Sequence, residues 1–516
     1  MTSSSADKPL AALTTWAGFA AMCLGMFMAI LDIQVVVTSL AVIQEALGIG
    51  AERMSWIQTA YLIAEIIAIP LTGLFIRTFG LKRTFIIALA VFTLASIGCA
   101  LSFDFISLIA ARVIQGFAGG VLIPLVFAAV FLLFPRDSQP LATTIAGMVA
   151  VLAPTLGPIV GGWITETTSW HWLFLINVLP GIVAIAIAAK SFAPEPRDLS
   201  RLRHLDWLAL ICLAVALAAF EIALKQAPDD GWLSGTVLGL LAATVILAAF
   251  FIKRSLSGDN PVVDIHLLGR RNFAAGCVLS FALGTSLFGM VYLMPVFLSF
   301  VRDHGPLRIG EIMLVTGAAQ LLMAPLAVQL EKNVDARLLT ILGFTVFALG
   351  LALSMWQSGD TDYNEMFWPQ VIRGASVMLC LLAPTHIALA GLPANEIGDG
   401  SSLFNMMRNL GGAIGISLID TVMFTRGPQY AETLTDKLKA GDPATLDLFG
   451  LTPQDIEGGL DSMRLLDLMP DLEKQSLVMS INDAWMLLAA IALVGLVALL
   501  FIRKEDTPPP GTAPLH

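Results

Sequence analysis

Uninterrupted apolar runs of 20 or more residues recur along the whole chain, separated by short polar segments. A helix rises about 1.5 Å per residue and crosses the hydrocarbon layer of a bilayer in about 20 residues, so each run is long enough to span a membrane. Apolar and polar positions do not alternate within the runs, which excludes barrel strands and leaves helices as the spanning element. The pattern predicts fourteen of them, at 14–44, 53–76, 82–102, 105–133, 139–165, 172–190, 205–225, 232–253, 272–300, 309–330, 337–357, 365–391, 398–426 and 481–503. The fold class is an all-α polytopic membrane protein. The first apolar run, Leu10 to Ile43, is too long for the core of a signal peptide and ends in no small-residue cleavage site, so it is expected to remain as the first span.

Short phrases in the first part of the chain return later. Pro70-Leu71 recurs as Pro325-Leu326, Val113-Ile114-Gln115-Gly116 as Val371-Ile372-Arg373-Gly374, and Gly157 with Gly161 as Gly411 with Gly415, at offsets of 255, 258 and 254. Three echoes in one order at nearly one offset predict two copies of a six-helix unit, the mark of secondary transporters with a substrate site between the copies. The expected organisation is a tail at 1–13, a six-helix bundle at 14–190, a two-helix insertion with flanking loops at 191–271, a second six-helix bundle at 272–503, and a tail at 504–516. The second bundle includes a long loop, 427–480, with weakly amphipathic stretches such as Asp461–Leu472; it is expected to be mobile and solvated.

Charge sets direction and narrows function. Arg77, Lys82, Arg83, Arg136, Lys190, Arg197, Arg201, Arg203, Lys253, Arg254, Arg270, Arg271, Lys332, Arg337, Arg503 and Lys504 all fall on one side of the predicted spans. The positive-inside rule then places both termini in the cytoplasm, with the chain as a multi-pass protein of the inner (plasma) membrane. Trp16, Trp56, Trp170, Trp207, Trp232, Trp356, Trp368 and Trp485 fall near predicted helix ends, as an interfacial belt requires. Only 13% of residues are charged, about half the fraction of a soluble domain. Much of the net charge of −10 sits in the late loop and the tails, so it signals neither an acidic-substrate nor a nucleic-acid surface. Cys23, Cys99, Cys212, Cys277 and Cys380 lie inside apolar runs and read as small hydrophobes. No histidine, metal-type or nucleophile constellation and no phosphate-binding Gly-x-x-x-x-Gly-Lys-Ser/Thr loop is present, so neither an enzyme nor an ATP-driven pump is expected, and no cofactor.

Charges within the spans point to function. Arg112 in predicted helix 4 is costly in a bilayer unless paired, and Asp32 in helix 1 lies at a similar depth. Glu65, near the middle of helix 2, is a candidate proton or cation site. Arg408 in helix 13 is a candidate partner for a carboxylate or an anionic substrate; with Gln34, Gln115, Asn405 and Asn409 it marks a polar substrate pathway. Asp420 is expected to pair with Arg426, and Glu221 with Lys225. In helix 5, Gly157 and Gly161 form a small-residue face beside Gly162, and Pro158 interrupts the helical ladder and permits bending.

Several stretches carry a family resemblance. Gly73-Leu-Phe-Ile-Arg77-Thr-Phe-Gly80-Leu-Lys82-Arg83 resembles the glycine- and basic-rich signature between helices 2 and 3 of the major facilitator superfamily. Arg77 stands where that signature usually has an acid, so a charge lock built on the acid is not expected. Arg112-Val-Ile-Gln115-Gly116 resembles the superfamily's helix-4 arginine motif, and Ala153-Pro154-Thr-Leu-Gly157-Pro158-Ile-Val-Gly161-Gly162 the helix-5 motif of its antiporters. Leu31-Asp32-Ile-Gln-Val-Val-Val, the stretch Ser169–Gly181 and the stretch Asp399–Gly415 resemble the fourteen-span drug:proton antiporter branch, the EmrB/QacA-type multidrug exporters. The resemblance implies the major facilitator fold, with two six-helix bundles and two extra central helices. It implies proton-coupled export of amphipathic small molecules by alternating access, with Asp32, Arg112 and Glu65 handling protons. Gly73, Gly80, Lys82, Arg83, Gly157, Pro158, Gly161 and Gly162 would serve the conformational change. It further implies a periplasmic adaptor and an outer-membrane duct as partners. A dedicated exporter of one metabolite, siderophore or fatty acid on the same fold remains open at this stage, as does, more distantly, a membrane-embedded enzyme or channel.

Overall fold

A computed structural model describes residues 7–37, 39–49, 56–193, 195, 197–198, 206–257, 263–393, 395–452 and 462–502. Arg201, Arg203, Arg503, Lys504, the tail 504–516, residues 1–6 of the tail 1–13 and the part of the late loop at 453–461 lie outside these residues, and the Pro158 side chain is likewise not described. Each of the fourteen predicted segments contains a helix. They are α1 (Asp7–Val37), α2 (Trp56–Phe79), α3 (Leu81–Ala100), α4 (Phe105–Leu133), α5 (Gln139–Thr167), α6 (Trp172–Ser191), α7 (Trp207–Asp230), α8 (Gly235–Ser257), α9 (Arg271–Phe300), α10 (Pro306–Asn333), α11 (Ala336–Ala352), α12 (Tyr363–Leu389), α13 (Ile397–Lys439) and α14 (Ser462–Gly495).

Eleven helices among the described residues are long and apolar enough to cross a membrane, and α5 makes a twelfth as a pair bent by 45° between Pro154 and Ile159. The other two of the fourteen predicted segments are helices as well: α11, at 17 residues, lies at the short end of the roughly 17–25 that span a bilayer. Buried Ser, Asn, Arg and Asp side chains make α13 less apolar than a lipid-facing helix, because much of its surface faces protein. The late loop is more ordered than expected. α13 continues to Lys439, α14 begins at Ser462, and a short helix, Pro443–Leu448, lies between them. Leu434, Leu438, Leu446 and Leu472 form a small apolar core of their own there, so the described part of 427–480 is a packed helical hairpin.

The internal echo has a packing meaning. In the first copy, α4 crosses α2 so closely that a methyl group on Gly116 would strike the Tyr61 carbonyl; in the second, a methyl on Gly374 of α12 would strike the Thr316 carbonyl of α10. Gly157 of α5 abuts Gln34 of α1, and its counterpart Gly411 of α13 abuts Phe281 of α9. Equivalent glycines thus let equivalent helix pairs approach, as small residues do in membrane bundles. Gly161 and Gly162 are buried on the same helix.

The copies face each other. α5 packs along α10 and touches α12, while α2 and α4 pack on α13. The inserted α7 wedges against both copies, on α2 and on α13, and α8 lies outside it with only Val237, Phe251 and Ser255 buried.

Candidate functional site

Inside the first bundle, Asp32 and Arg112 meet. Arg112 Nη1 donates to Asp32 Oδ2 at 2.5 Å, and its Nε donates to the Ile57 carbonyl at 3.1 Å. The other carboxylate oxygen, Oδ1, accepts from Asn177 Nδ2 at 2.7 Å and from Gln115 Nε2 at 2.9 Å. Gln115 also accepts from Arg112 and donates to Ser96 Oγ. The guanidinium lies over the Tyr61 ring, 4.3 Å from its centroid, and Tyr61 Oη donates to the Ala29 carbonyl. All four polar side chains at the centre, Asp32, Arg112, Gln115 and Asn177, are at most 1% exposed. A buried ion pair is costly unless hydrogen bonds satisfy its remaining capacity; Gln115 and Asn177 do so for the carboxylate, while Arg112 Nη2 is left without a partner. Gln115, expected on the substrate pathway, therefore belongs to this network instead.

A second site lies between the bundles. A cavity of about 180 Å³ is lined by residues from α1, α2, α4, α5, α7, α9, α12 and α13. Gln34, Glu65, Asn405, Arg408 and Asn409, all marked from the sequence, line it; Asp32, Arg112 and Gln115 do not. Glu65 is thus separated from the pair with which it was grouped, one turn along α2 from Tyr61. Its neighbour in the cavity is Glu221, contributed by the inserted α7. The expected attraction between Glu221 and Lys225 is present, but Lys225 bonds elsewhere as well. Lys225 Nζ donates to Thr59 Oγ1 at 2.5 Å and lies over the Trp56 ring, while Glu221 Oε2 is buried without a hydrogen-bond partner. Arg408 stacks between Phe127 and Phe404, with Nε and Nη2 also lacking partners. Of the expected Asp420–Arg426 pair, Asp420 accepts from Tyr292 Oη at 2.7 Å and Arg426 lies 3.9 Å from Asp483.

With this geometry in view, comparison with known proteins is decisive. The family model described as Major Facilitator Superfamily matches residues 22–416. The chain belongs to the major facilitator superfamily. It is 34% identical to the colistin resistance protein EmrB of Acinetobacter baumannii, over 96% of this chain and 97% of that protein. It is 30% identical to the probable multidrug resistance protein EmrY of Escherichia coli, over 99% and 98%, and 28% identical to the fatty acid resistance protein FarB of Neisseria gonorrhoeae, over 93% and 94%. The fold also matches a proton:xylose symporter, XylE (TM-score 0.61, 13% identity, 95% of this chain and 96% of that one). A second match is the human organic anion transporter MFSD10 (TM-score 0.59, 12% identity, 94% and 99%). This is a multi-pass membrane transporter of the EmrB type and not an enzyme.

The superfamily signature between α2 and α3 holds one end of the molecule. Gly80 has φ +81°, a conformation that favours glycine, and it turns the chain tightly into α3. Lys82 Nζ donates to the Ala189 and Phe192 carbonyls, and Arg83 Nη1 to the Glu195 carbonyl, so the two bases fasten the last turn of α6 and the segment after it. Gly73 packs directly on Asp399 of α13, and its N–H donates to Ser402 Oγ at 3.0 Å. Arg77 forms an ion pair with Asp399, which is 2% exposed. An ion pair therefore joins the copies here, with the base on α2 and the acid on α13.

Asn177 and Glu221 are the functional candidates that sequence reasoning missed. Asn177 lies within a stretch carrying the family resemblance, which was the available signal. Glu221 was hidden by a basic residue at i+4.

Proposed function

We propose that this transporter is a proton-coupled antiporter that exports amphipathic small molecules across the inner membrane by alternating access, the bundles at 14–190 and 272–503 rocking about the cavity between them. The observation that carries this reading is the separation of two sites. A buried, hydrogen-bonded Asp32–Arg112 pair lies within one bundle, and a cavity with apolar walls and few polar groups lies between the two. A proton taken by Asp32 cancels its attraction for Arg112 and disturbs the bonds from Gln115 and Asn177, so that α1, α4 and α6 repack. The direction of transport is supported by likeness to the multidrug export protein EmrB of Haemophilus influenzae, 29% identical over 95% of this chain and 96% of that protein. Inward movement of each positive charge through 100 mV supplies about 2.3 kcal/mol. With both termini cytoplasmic, the α13–α14 hairpin projects outward, where it is the natural seat for a periplasmic adaptor leading to an outer-membrane duct.

Purified protein in ATP-free liposomes, given an acidic exterior at its outward face, should drive efflux of an amphipathic dye, and efflux should stop when a protonophore collapses the gradient. Efflux that ignores the gradient would refute proton coupling. The likeness to FarB keeps a dedicated lipid-like cargo as a second reading; competition by saturating fatty acid, with no effect from unrelated dyes, would favour it.

A further inference from the structure

The cavity between the bundles is lined by ionisable groups of both signs on different elements, an arginine and two carboxyls. Arg408, on α13, is 6% exposed, and its guanidinium is held between Phe127 and Phe404 at 5.4 and 5.3 Å. Its Nε and Nη2 are buried with no hydrogen-bond partner, and among the described residues it forms no ion pair. Arginine stays charged at any physiological pH, so a guanidinium that lines a cavity with two of its nitrogens unpartnered suits a carboxylate, sulfonate or phosphate. Glu65, on α2 and 5% exposed, and Glu221, on α7, line the same cavity, and Glu221 Oε2 is unpartnered as well. Apolar side chains such as Ile33, Leu62, Ile123 and Phe288 complete its walls.

We propose that the cavity takes an amphipathic zwitterion, its acid docked on Arg408 and its amine or quaternary ammonium between Glu65 and Glu221, with the apolar body against the walls. A substrate with only an acid would meet two carboxylates, and one with only an amine would meet an unpaired guanidinium; a molecule bearing both satisfies each end. The inserted helix thereby becomes part of the binding site. α7 is fastened to both copies near Glu221, by Lys225 to Thr59 on one side and by Ser417 Oγ to the Leu224 carbonyl on the other. Protons and the ammonium end compete for the same carboxylates, which suits exchange of one for the other. This inference rests on the export reading above.

The test is equilibrium binding in lipid nanodiscs without a pH gradient, using three probes with the same eight-carbon chain: N,N-dimethyl-N-octylglycine (zwitterion), octyltrimethylammonium (cation) and octanoate (anion). Wild type should bind the zwitterion at least tenfold more tightly than either singly charged probe. Arg408→Gln should bring the zwitterion's affinity down to that of the cation, and Glu221→Gln down to that of the anion, while Arg408→Lys keeps the preference. Equal affinity for all three probes, or a preference for one charge alone, overturns the proposal but leaves export standing. Absence of binding by any probe overturns both. If Arg408→Gln does not fold, Glu221→Gln and Arg408→Lys decide the matter.

Discussion

Arg112 carries a charge that no proton removes, so every role of Asp32 is set by what happens to that guanidinium. Replacing Asp32 with Ala strands a buried cation, a change that typically costs about 3–5 kcal/mol. The Ala variant should therefore unfold at clearly lower temperature in detergent than Asp32→Asn, which keeps hydrogen-bonding capacity; equal melting temperatures would show that Arg112 finds another partner. Asn177→Leu removes one donor from the carboxylate and should slow efflux about tenfold, the rate equivalent of roughly 1.4 kcal/mol, a cost within the range for a lost bond to a charged group. The Asp32–Arg112 pairing was legible in the sequence because an unpaired intramembrane arginine is so costly that a partner must exist. The neutral partners were not: Asn177, which donates to Asp32, and Ser96, which accepts from Gln115, are uncharged polar side chains of a kind common in apolar helices, where most bond to their own backbone, as Thr93, Ser376 and Ser96 itself do here.

At the scale of helices, the repeated glycines state where elements touch. Gly116→Ala and Gly374→Ala each drive a methyl group into a neighbouring carbonyl. Overpacking of this kind costs about 1–3 kcal/mol, and the two substitutions should lower the melting temperature by similar amounts; a harmless Gly374→Ala would deny the equivalence of the copies. Helix ends outside the membrane give a pH-dependent test. Burial pushes the Asp362 carboxyl up, but hydrogen bonds from His304, the Tyr363 N–H and Arg302 outweigh it and hold the group below the usual carboxylate range. A carboxyl lowered on folding adds stability above its unfolded value near 3.9, and that stability is lost as pH falls through the lower folded value. The melting temperature should drop on acidification below about pH 4, and Asp362→Asn should flatten that part of the curve. Helix positions were legible from apolar runs, whereas the extension of α13 to Lys439 and the start of α14 at Ser462 were not. Those turns lie beyond the apolar stretch, and their small leucine core comes from residues far apart in sequence.

Across the whole molecule, the copies share a scaffold and differ in charge, as the echo of glycines without an echo of acids already indicated. What the sequence concealed was how charges from different helices combine. Arg77 read as an unmatched base until α13 supplied Asp399, and Glu221, read only as one half of a local pair, also lines the cavity because α7 is wedged between the copies. If Arg77–Asp399 latches this end, Arg77→Asp should open it, measured as increased labelling of a cysteine placed beside Gly398, and the double exchange Arg77→Asp with Asp399→Arg should close it again. Unchanged labelling in the single variant would assign the pair to packing alone. The central claim is that Asp32 is the proton-coupling group. Its most direct test is efflux by Asp32→Asn in liposomes with an imposed pH gradient, measured beside substrate binding by the same preparation. The account predicts that binding survives and gradient-driven efflux is abolished; efflux at the wild-type rate would contradict it.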